Sequence, residues 1–478
     1  MNNALFRDLK RLTAMVEPAE WMHSDGWRLG YHLMPPIGWL NDPNGLCQFR
    51  GEYHVFYQYA PFDPHGGVKF WGHYKSADMI RWTQCPVMLY SDNTWDIHGV
   101  YSGSCLVDEN KMYLYYTGNV KHPGDYDYIT TGRGHNTALA VSEDGMQPVS
   151  DQLLMENKDY PANLTCHVRD PKVWKQDGKY YMVQGARTKE DIGELLVFES
   201  EDKVNWNHIN TITTPEKFGY MWECPDLYEV DGQWILAFSP QGIERDGMRF
   251  QNIYTCGYFP LYGDFRGEYT LGEFVESDFG FDYYAPQSFL DENGRRICIG
   301  WMGMPDADYT NPTAEAELGW QHCLTVPCEV HYQNGVLTMN PVQEIAALRA
   351  DECEMQCSGC TAAAVNEMAD VLFEPHTQEW EMILHDCLKI RYADGILSMT
   401  FLNGGYGRTE RVVPVEQLRN LRLLIDRSAV ELFANDGAVC MRTRCYPEGS
   451  GRGLEIHGDG LLTTYRMQSI RIIKEDSK

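Results

Sequence analysis

"RGEYHVFYQY", residues 50–59, is a polar turn followed by a run of aromatic and β-branched residues. A run of this kind after a turn is typical of a β-hairpin. Four similar stretches follow along the chain: "ENKMYLYYTG" (109–118), "DGKYYMVQGA" (177–186), "DGQWILAFSP" (231–240) and "NGRRICIGWM" (293–302). The first strand residues of these five hairpins lie 59, 68, 54 and 62 residues apart, which indicates a repeated β-unit.

Each repeat is expected to form a four-stranded sheet. A second polar turn, between the outer strands, follows several of the hairpins, in "KSADMIRW" (75–82), "VSEDGM" (141–146) and "ESEDKVNW" (199–206). Such sheets cannot cover their own faces, whereas a closed ring of sheets buries the faces and protects the edges. We therefore predict an all-β protein with a five-bladed β-propeller over residues 27–340. A pair of stacked sandwiches is the alternative, but it would show no such period.

The two ends of the chain differ from the repeats. "PVQEIAALRA" (341–350) predicts a short helical connector over residues 341–352. The strands beyond it, such as "LRLLIDRSAVELFAND" (421–436), lack the earlier turn pattern, so residues 353–478 are predicted to form a β-sandwich. Residues 1–26 are interpreted as an extension with a short docking helix, because apolar residues recur there at helical spacing, at Leu5, Leu9, Leu12 and Met15.

Composition narrows the class of protein. The chain has 478 residues and a formal net charge of −28, which disfavours nucleic acid or an anionic membrane as partner and favours a neutral ligand. No stretch approaches the roughly 20 apolar residues of a membrane span, and the N-terminus does not resemble a secretory signal. The 15 cysteines lie mostly in apolar runs, so we expect reduced thiols in a cytoplasmic protein. A homodimer formed through the sandwich is an open possibility.

One cluster of cysteines, Cys353, Cys357 and Cys360, could suggest a metal site. The cluster has no second pair at zinc-site spacing and no nearby histidine in the sequence. No metal is therefore predicted there.

Three carboxylates recur just before the hairpin turns. Asp42, Asp170 and Glu223 lie nine, eight and nine residues before the turn glycines of their repeats. Ser102 and Ala285 take the corresponding place in the second and fifth repeats. Because the first strand of each blade lines the central channel, we expect the three acids to converge on one axial pocket. Prolines follow these positions, at Pro43, Pro171, Pro225 and Pro286, as suits a strand start at a channel mouth.

Converging acids must serve a purpose, because like charges repel and burial penalises them further. One possibility is a Ca²⁺ site, but the sequence contains no Ca²⁺-binding loop. Glycoside hydrolysis suits the acids better, since it uses one carboxylate as nucleophile or base and a second as proton donor. Aromatic residues near the same strands could stack on sugar rings: Trp39, Trp71, Tyr101, Trp222 and Trp301.

Several motifs together resemble glycoside hydrolase family 32, which comprises invertases, sucrose-6-phosphate hydrolases, inulinases and levanases. They are "WLNDPNG" (39–45), "FYQYAP" (56–61), "WGHYKSADMIRW" (71–82), "YSGS" (101–104), "RDP" (169–171), "ECP" (223–225), "DYYAPQSF" (282–289) and "GWMGMP" (300–305). The resemblance runs from about residue 27 to the end of the chain. Leu40 stands where the family commonly has Met, and Tyr101 where it has Phe, but neither departure removes a group that the reaction needs.

The resemblance implies a five-bladed propeller with a β-sandwich and a retaining mechanism without a cofactor. It implies that Asp42 is the nucleophile and that Glu223 is the general acid and then the base. It also implies that Asp170, with Arg169 beside it, holds fructose hydroxyls and stabilises the transition state. The remaining residues implied to bind substrate are Trp39, Leu40, Asn41, Gln58, Trp71, Tyr101, Ser102 and Trp301.

A retaining pair of carboxyl groups stands about 5–5.5 Å apart, so we expect that separation for Asp42 and Glu223. Glu223, in an apolar run, is expected to be the protonated partner. Asp42, near Asn41 and backbone donors, is expected to stay ionised. The alternatives are a fructosyltransferase with the same intermediate, an inverting arabinan-type propeller hydrolase with a wider carboxyl separation, and a non-catalytic fructan-binding or sensing protein.

Sucrose, sucrose 6-phosphate and short fructo-oligosaccharides share the fructose half, so the sequence does not choose between them. A phosphate would require a cluster of basic residues near the pocket. Basic residues in predicted loops are Lys69, Lys121, His122 and Arg133, but the sequence does not place those loops. Because a net charge of −28 disfavours a doubly charged phosphate group, we expect sucrose and short oligosaccharides to be the substrates.

Overall fold

Five antiparallel sheets follow one another along the chain in a computed structural model that describes residues 3–17, 26–315, 318–448 and 453–475. Blade 1 contains β1 (Gly38–Phe49), β2 (Glu52–Ala60), β3 (Phe70–Ser76) and β4 (Arg81–Leu89). Blade 2 contains β5 (Val100–Asp108), β6 (Lys111–Lys121), β7 (Arg133–Ser142) and β8 (Pro148–Met155). Blade 3 contains β9 (Leu164–Gln176), β10 (Lys179–Thr188), β11 (Gly193–Ser200) and β12 (Asn207–Ile212).

The last two blades are less regular. Blade 4 contains β13 (Met221–Val230), β14 (Gln233–Gln241), β15 (Gly257–Gly263), β16 (Tyr269–Leu271) and the short β17 (Val275–Glu276), which pairs with β15. Blade 5 is built from β18 (Tyr284–Leu290), β19 (Arg296–Met302), β21 (Cys323–Leu324), β22 (Cys328–Gln333) and β23 (Val336–Pro341), while β20 (Trp320–Gln321) pairs with β1 of blade 1. Single-turn 3₁₀ helices lie at Asn157–Asp159 and Pro312–Ala314.

The five blades close into a ring. The first strand of each blade contacts the first strand of the next, and β18 of blade 5 contacts β1 of blade 1. Closure packs neighbouring sheets of the ring against one another, as the repeat predicted. The first strands β1, β5, β9, β13 and β18 therefore surround the central channel.

A serine–aspartate pair closes the outer turn of three blades. The Asp78 carboxylate accepts hydrogen bonds from the backbone N–H groups of Ile80 and Arg81, at 3.0 and 2.8 Å. Asp144 in blade 2 and Asp202 in blade 3 accept from the backbone in the same way. These are the second polar turns of the sequence repeat, and their aspartates fix the turn by satisfying backbone donors that the sheet leaves unpaired.

The C-terminal part of the chain is a sandwich of two six-stranded sheets. After a 3₁₀ helix at Gln343–Leu348, its strands are β24 (Arg349–Cys357), β25 (Cys360–Ala363), β26 (Met368–Pro375), β27 (Trp380–Leu384), β28 (Leu388–Ala393), β29 (Ile396–Phe401), β30 (Glu410–Pro414), β31 (Leu421–Asp426), β32 (Ala429–Ala434), β33 (Val439–Arg444), β34 (Leu454–His457) and β35 (Gly460–Met467). One sheet has the order β24-β35-β26-β31-β32-β33 and the other β25-β34-β27-β28-β29-β30. Apolar side chains of both sheets form the core between them.

Two boundaries differ from the sequence-based expectation. The first sandwich strand begins at Arg349 rather than at residue 353. The final strand, β36 (Arg471–Lys474), leaves the sandwich and pairs in parallel with β4, so it extends the outer edge of blade 1. The C-terminal segment therefore fastens the sandwich domain back onto the propeller.

A buried polar network also joins the two domains. Both ring nitrogens of His32, just before blade 1, contact sandwich carboxylates, with Nδ1 2.8 Å from Asp426 and Nε2 2.9 Å from Glu431. Arg442 donates to Glu431 at 2.6 Å and to Asp278 of the propeller at 2.9 Å. Because these buried charges are paired and hydrogen-bonded, the network specifies one orientation of the two domains.

The N-terminal extension contains the expected helix, α1 (Ala4–Val16), capped by the Asn3 side chain, which accepts from the Phe6 N–H. The prediction that these apolar residues dock the helix is wrong, however, since Leu5, Leu12 and Met15 are exposed. The helix contacts blade 1 through Phe6, whose ring lies 5.4 Å from that of Tyr90. Residues 1–2 and 18–25 of the extension lie outside the described residues. Within the described parts of the chain, no helix combines the length and apolar character needed to cross a membrane.

The cysteine cluster is divided between two strands. Cys353 and Cys357 belong to β24 of one sheet, whereas Cys360 starts β25 of the other. Cys360 is paired across the sheet with His457, and with Glu455 these residues place their ligand atoms within 4.8 Å of one another. Nothing in the sequence indicated this histidine, because β34 brings it to Cys360 from a remote part of the chain.

Candidate active site

A β-bulge interrupts the first strand of every blade at the same height in the channel. In β1, Leu40 pairs with Tyr59 and Pro43 with Tyr57, so Asn41 and Asp42 together face one residue of β2. Corresponding register shifts occur between Tyr101 and Gly103, between Arg169 and Lys172, between Glu223 and Asp226, and between Tyr284 and Gln287. In a regular strand, neighbouring side chains would point to opposite faces. The bulge re-aims one of them, so that consecutive residues such as Arg169 and Asp170 both face the channel.

The bulges also correct the alignment of the acids. Asp42 and Asp170 lie within their bulges, whereas Glu223 is the residue before its bulge and corresponds in register to Arg169. Asp170 and Cys224 occupy the equivalent bulge position, both with positive φ, at 63° and 47°. The distance from each turn glycine predicted the position of each acid to within one residue. The prediction that all three acids occupy the same position in the repeat was wrong, because Glu223 precedes its bulge.

All three acids nevertheless line one cavity of about 410 Å³. Of the residues expected to bind substrate, those that also line it are Trp39, Asn41, Gln58, Tyr101, Ser102, Arg169 and Trp301. Further lining residues are Lys69, Arg133, His135, Gln241, Tyr284, Pro305 and Asp306. The expected convergence on one axial pocket is thus what the structure contains.

Asp42 is held by a chain of side-chain donors. Ser102 Oγ donates to its Oδ2 at 2.5 Å, and Asn41 Nδ2 donates to its Oδ1 at 3.1 Å. Gln58 links both donors, since it accepts from Asn41 at 2.9 Å and donates to Ser102 at 2.5 Å. Burial raises the pKa of Asp42, and the Ser102 and Asn41 hydrogen bonds oppose that rise. The expectation of backbone donors was wrong, because the donors are side chains of β1, β2, β5 and, through the Cys224 thiol, β13.

Glu223 has a different environment. Arg169 Nη2 forms an ion pair with its Oε1, and Tyr284 donates its hydroxyl to Oε2 at 2.6 Å. The Arg169 guanidinium is itself fixed by His167 Nδ1 at 2.5 Å from Nη1. Asp42 and Glu223 are thus two carboxylates in one cavity, one bound by neutral donors and the other by a cation and a phenol.

Asp170 interacts electrostatically with both of the other acids. Its Oδ2 accepts from the backbone N–H of Cys224 at 2.8 Å, and Arg169 Nε is 3.9 Å from the same oxygen. Burial raises the pKa of Asp170 to about 7, with Arg169 opposing the rise and Glu223 and Asp42 adding to it. The positive φ of Asp170 is a strained conformation, of the kind that persists where a side chain must take a fixed direction.

Two of the expected substrate-binding residues do not reach the cavity. Leu40 is fully buried and belongs to the apolar core. Trp71 is also fully buried, and its Nε1 donates to the backbone oxygen of Tyr101 at 3.1 Å. Both residues belong to motifs of the resemblance, but strand alternation directs their side chains away from the cavity. Trp71 therefore positions Tyr101 rather than lining the cavity itself.

Sequence analysis missed Tyr284, although a signal was available. Tyr284 is the residue before the bulge in blade 5, as Glu223 is in blade 4. The side chains of Lys69, Arg133 and His135 come instead from the third strands of blades 1 and 2 or the residue before them. The hairpin repeat gave no register for those strands, so nothing in the sequence could place the three residues.

The sequence matches the family description "Glycosyl hydrolases family 32 N-terminal domain" over residues 32–341 and the C-terminal domain of the same family over residues 398–473. The chain belongs to glycoside hydrolase family 32. The resemblance inferred from the motifs is therefore confirmed, as are the all-β fold with a five-bladed propeller and a β-sandwich and the assignment to the glycoside hydrolases.

Relatives of known name cover nearly the whole of this family 32 chain. It is 37% identical over 442 residues to the sucrose-6-phosphate hydrolase of Bacillus subtilis, covering 89% of this chain and 90% of that one. The structure of sucrose-6-phosphate hydrolase from Lactobacillus gasseri superposes with a TM-score of 0.86 at 28% identity, covering 97% of each chain. A Bombyx mori GH32 beta-fructofuranosidase superposes with a TM-score of 0.85 at 28% identity, covering 99% of this chain and 100% of that one.

Proposed function

We propose that this family 32 protein is a retaining β-fructofuranosidase that hydrolyses the terminal β-D-fructofuranosyl bond of sucrose, sucrose 6-phosphate or short fructo-oligosaccharides. The observation that carries the proposal is the presence of Asp42 and Glu223 in one cavity with different hydrogen-bond partners. Two carboxylates in unlike environments are suited to the unlike roles of nucleophile and acid. The names of the relatives support the choice of sugar.

In the first step, Asp42 attacks the anomeric carbon of fructose while Glu223 gives a proton to the departing glycosidic oxygen. The C–O bond to the leaving sugar breaks, and a covalent fructosyl ester forms on Asp42. In the second step, Glu223 takes a proton from water, and the water oxygen attacks the anomeric carbon. The bond from that carbon to the Asp42 oxygen breaks, which releases fructose and the free Asp42 carboxylate. No cofactor enters either step.

The surrounding residues position the sugar and the acids. Asn41, Gln58 and Ser102 hold Asp42 and offer their remaining capacity to fructose hydroxyls. Arg169 and Tyr284 orient Glu223. Asp170 would accept hydroxyl protons and stabilise the positive charge of the oxocarbenium-like transition state. Trp39, Tyr101 and Trp301 supply ring faces on the cavity wall.

The reaction is proposed to take place in the cytoplasm. All fifteen cysteines are free, and most of them are buried. This agrees with a compartment that keeps thiols reduced. A homodimer stays a prediction, which measurement of the molar mass in solution would test.

The test is to trap the covalent intermediate. β-Fructofuranosyl fluoride needs no proton on its leaving group, so the Glu223→Gln variant should form the ester quickly and hydrolyse it slowly. Mass spectrometry of the quenched, digested protein should show one anhydrofructose unit on the peptide that contains Asp42. An unmodified Asp42 peptide, or a modification elsewhere, would refute the assignment.

Product analysis of the wild type at high sucrose separates hydrolysis from transfer. Equal amounts of free glucose and free fructose are expected. An excess of glucose over fructose would identify a fructosyltransferase, and no turnover on sucrose, sucrose 6-phosphate or short fructans would identify a non-catalytic binding protein.

A further inference from the structure

Three metal-ligand side chains of different chemistry meet on the outer face of the sandwich. They are Cys360 of β25 and Glu455 and His457 of β34, and their ligand atoms all lie within 4.8 Å of one another. Glu455 Oε1 is common to two contacts, since it lies 2.5 Å from His457 Nε2 and accepts a long hydrogen bond from the Cys360 thiol, 3.9 Å from Sγ. All three residues are exposed, so an ion from solvent can reach them.

Strand pairing brings these side chains to one face of the sheet. His457 pairs directly with Cys360 across the ladder, and Glu455 lies two residues before His457 on the same strand. Residues two apart on a strand share a face, as do residues that are directly opposite each other. The alternate residues Leu454 and Ile456 are buried in the sandwich core. The three ligands are therefore presented by a regular β-ladder and not by a loop.

The spacing of the cysteines in the sequence does not describe this group. Cys357 and Cys360 have the C-x-x-C spacing of many zinc sites, but Cys357 is 4% exposed and packs in the core between the two sheets. Cys353 is exposed on β24, which belongs to the other sheet. The group thus combines one cysteine with two ligands from a remote strand.

The distances suit a tetrahedral ion. Around Zn²⁺, a nitrogen and an oxygen ligand stand about 3.3 Å apart, and a sulfur and an oxygen ligand about 3.5 Å apart. The Glu455–His457 contact is somewhat shorter than this and the Cys360–Glu455 contact somewhat longer. Each has to change by less than about 1 Å, which side-chain rotation at an exposed site allows. The ion would take the place of the hydrogen between Nε2 and Oε1.

The donor set favours zinc over the alkaline-earth ions. A thiolate, an imidazole and a single carboxylate are ligands of Zn²⁺, whereas Mg²⁺ and Ca²⁺ require mainly oxygen. The carboxylate of Glu381, which pairs with His457 from the other side, forms an ion pair with Lys389 at 3.5 Å. The group therefore supplies three protein ligands and leaves the fourth position of the tetrahedron to water.

We propose that Cys360, Glu455 and His457 form a zinc site that fastens the edge strand β25 to β34. Strand β25 has four residues, Cys360–Ala363, and lies at the edge of its sheet next to β34. The ion binds the Cys360 thiolate, whose proton passes to solvent, the Nε2 lone pair of His457 and one oxygen of Glu455. The inference is independent of the sugar chemistry, because no member of the group lines the cavity.

The first test uses Co²⁺ as a spectroscopic probe on the full-length protein, kept reduced with a phosphine. A cobalt–thiolate bond gives a charge-transfer band in the near ultraviolet, and we expect that band from a single Co²⁺ per chain and its loss when Zn²⁺ displaces Co²⁺. Cys360→Ser should abolish the band. His457→Gln should weaken Zn²⁺ binding about 100-fold or more, as measured by competition with a chromophoric chelator. Cys353→Ser is the control, since it removes the other exposed thiol and should change neither result.

The second test measures the effect of the ion on the strand. Zn²⁺ should slow amide hydrogen exchange in β25 of the wild type but not in β25 of Cys360→Ser. The control within the same sample is β30 (Glu410–Pro414), the edge strand on the opposite side of the same sheet, where exchange should not depend on Zn²⁺.

The outcomes decide the two parts of the inference separately. A wild type without the thiolate band, or a band that survives in Cys360→Ser, would overturn the zinc site. A band without slower exchange in β25 would overturn its fastening role. If Cys360→Ser does not fold, as judged by circular dichroism, alkylation of the wild type decides, because Zn²⁺ should protect Cys360 from iodoacetamide and leave Cys353 reactive. Loss of sugar hydrolysis would count against the proposed function alone.

Discussion

At the scale of single residues, the chemistry depends on how each carboxylate is hydrogen-bonded. Asp42 has only neutral donors, and burial raises its pKa above its ordinary value. Glu223 has a guanidinium on one oxygen and a phenol on the other. The same cavity thus distinguishes its acids by their neighbours, most of which come from other strands and blades; Asn41 is the exception, since it is adjacent to Asp42 in sequence.

Replacement of the nucleophile is the most direct prediction at this scale. Asp42→Asn keeps the size and most hydrogen bonds of the side chain but removes the attacking charge. Turnover of the preferred substrate should fall by about 10⁴-fold or more, with an unchanged circular dichroism spectrum. Asp394→Asn is the control, because Asp394 is exposed in the β28–β29 turn of the sandwich and does not line the cavity. Wild-type turnover by Asp42→Asn would show that another group is the nucleophile.

A second prediction concerns the ionisation of Asp42. Ser102 donates to its carboxylate at 2.5 Å and so favours the charged form. Ser102→Ala removes that donor, so the pKa of Asp42 should rise further and the ionised nucleophile should be lost at a higher pH. The acid limb of the kcat/KM profile should therefore move to higher pH. Ser104→Ala, on the same strand but bonded to Pro171, should leave the limb in place. An acid limb that does not move in Ser102→Ala would mean that this limb does not report Asp42.

At the scale of elements, bulges and polar turns determine which side chains reach the cavity. The hairpin repeat and the resemblance predicted the five blades and located the three acids. They could not predict the bulges, which depend on cross-strand register. They also did not give the direction of each side chain, and so Leu40 and Trp71 were expected in a cavity from which strand alternation directs them away. The exposed strand β24 was missed because "DECEMQC" (351–357) shows little apolar alternation. Arg133 and His135 could not be placed, since the lengths of the preceding loops are not part of the repeat.

The aspartate turns are the elements that the sequence described best, and they can be tested. Asp202 accepts two backbone and two side-chain hydrogen bonds at the β11–β12 turn. Asp202→Ala should reduce the free energy of unfolding by about 1–2 kcal/mol. The pKa of Asp202 is held below its usual value by these bonds. Its contribution is therefore present above the unfolded pKa of about 3.9 and is lost as the pH falls below it.

The matched variant for that turn is Glu201→Ala, which removes an exposed neighbouring charge but no hydrogen bond to the turn. Urea unfolding at pH 7 compares the two variants with the wild type. Equal effects of Asp202→Ala and Glu201→Ala would assign the loss to charge rather than to the turn.

At the scale of the whole molecule, the orientation of the domains rests on buried charges. Asp426 accepts from the backbone N–H groups of Gly30 and Tyr31 as well as from His32, so one sandwich carboxylate fixes the segment that leads into blade 1. Arg408 of the sandwich forms a two-pronged ion pair with Asp282, which precedes blade 5. The β36 strand adds a third attachment at the outer edge of blade 1. The sandwich is thereby connected to both ends of the propeller chain, where the ring must close.

His32 makes this connection sensitive to alkaline pH. Burial alone would lower its pKa, but the hydrogen bonds with Asp426 and Glu431 raise the pKa of His32 from 6.5 to about 9. Because the folded pKa is the higher one, the stabilisation is fully present below pH 6.5 and is lost as the pH rises through about 9. The shift corresponds to about 3 kcal/mol over that interval. The thermal unfolding midpoint of the wild type should therefore decrease as the pH is raised from 6.5 to 9.

Two variants isolate that effect. His32→Gln removes the titrating group, so its midpoint should be lower at neutral pH and should change less over the same interval. His376→Gln, an exposed histidine of the sandwich, should follow the wild type. If His32→Gln shows the same slope as the wild type, the alkaline loss of stability comes from another group. A smaller slope in His32→Gln alone would show that the protonated histidine holds the sandwich against the segment that begins the propeller.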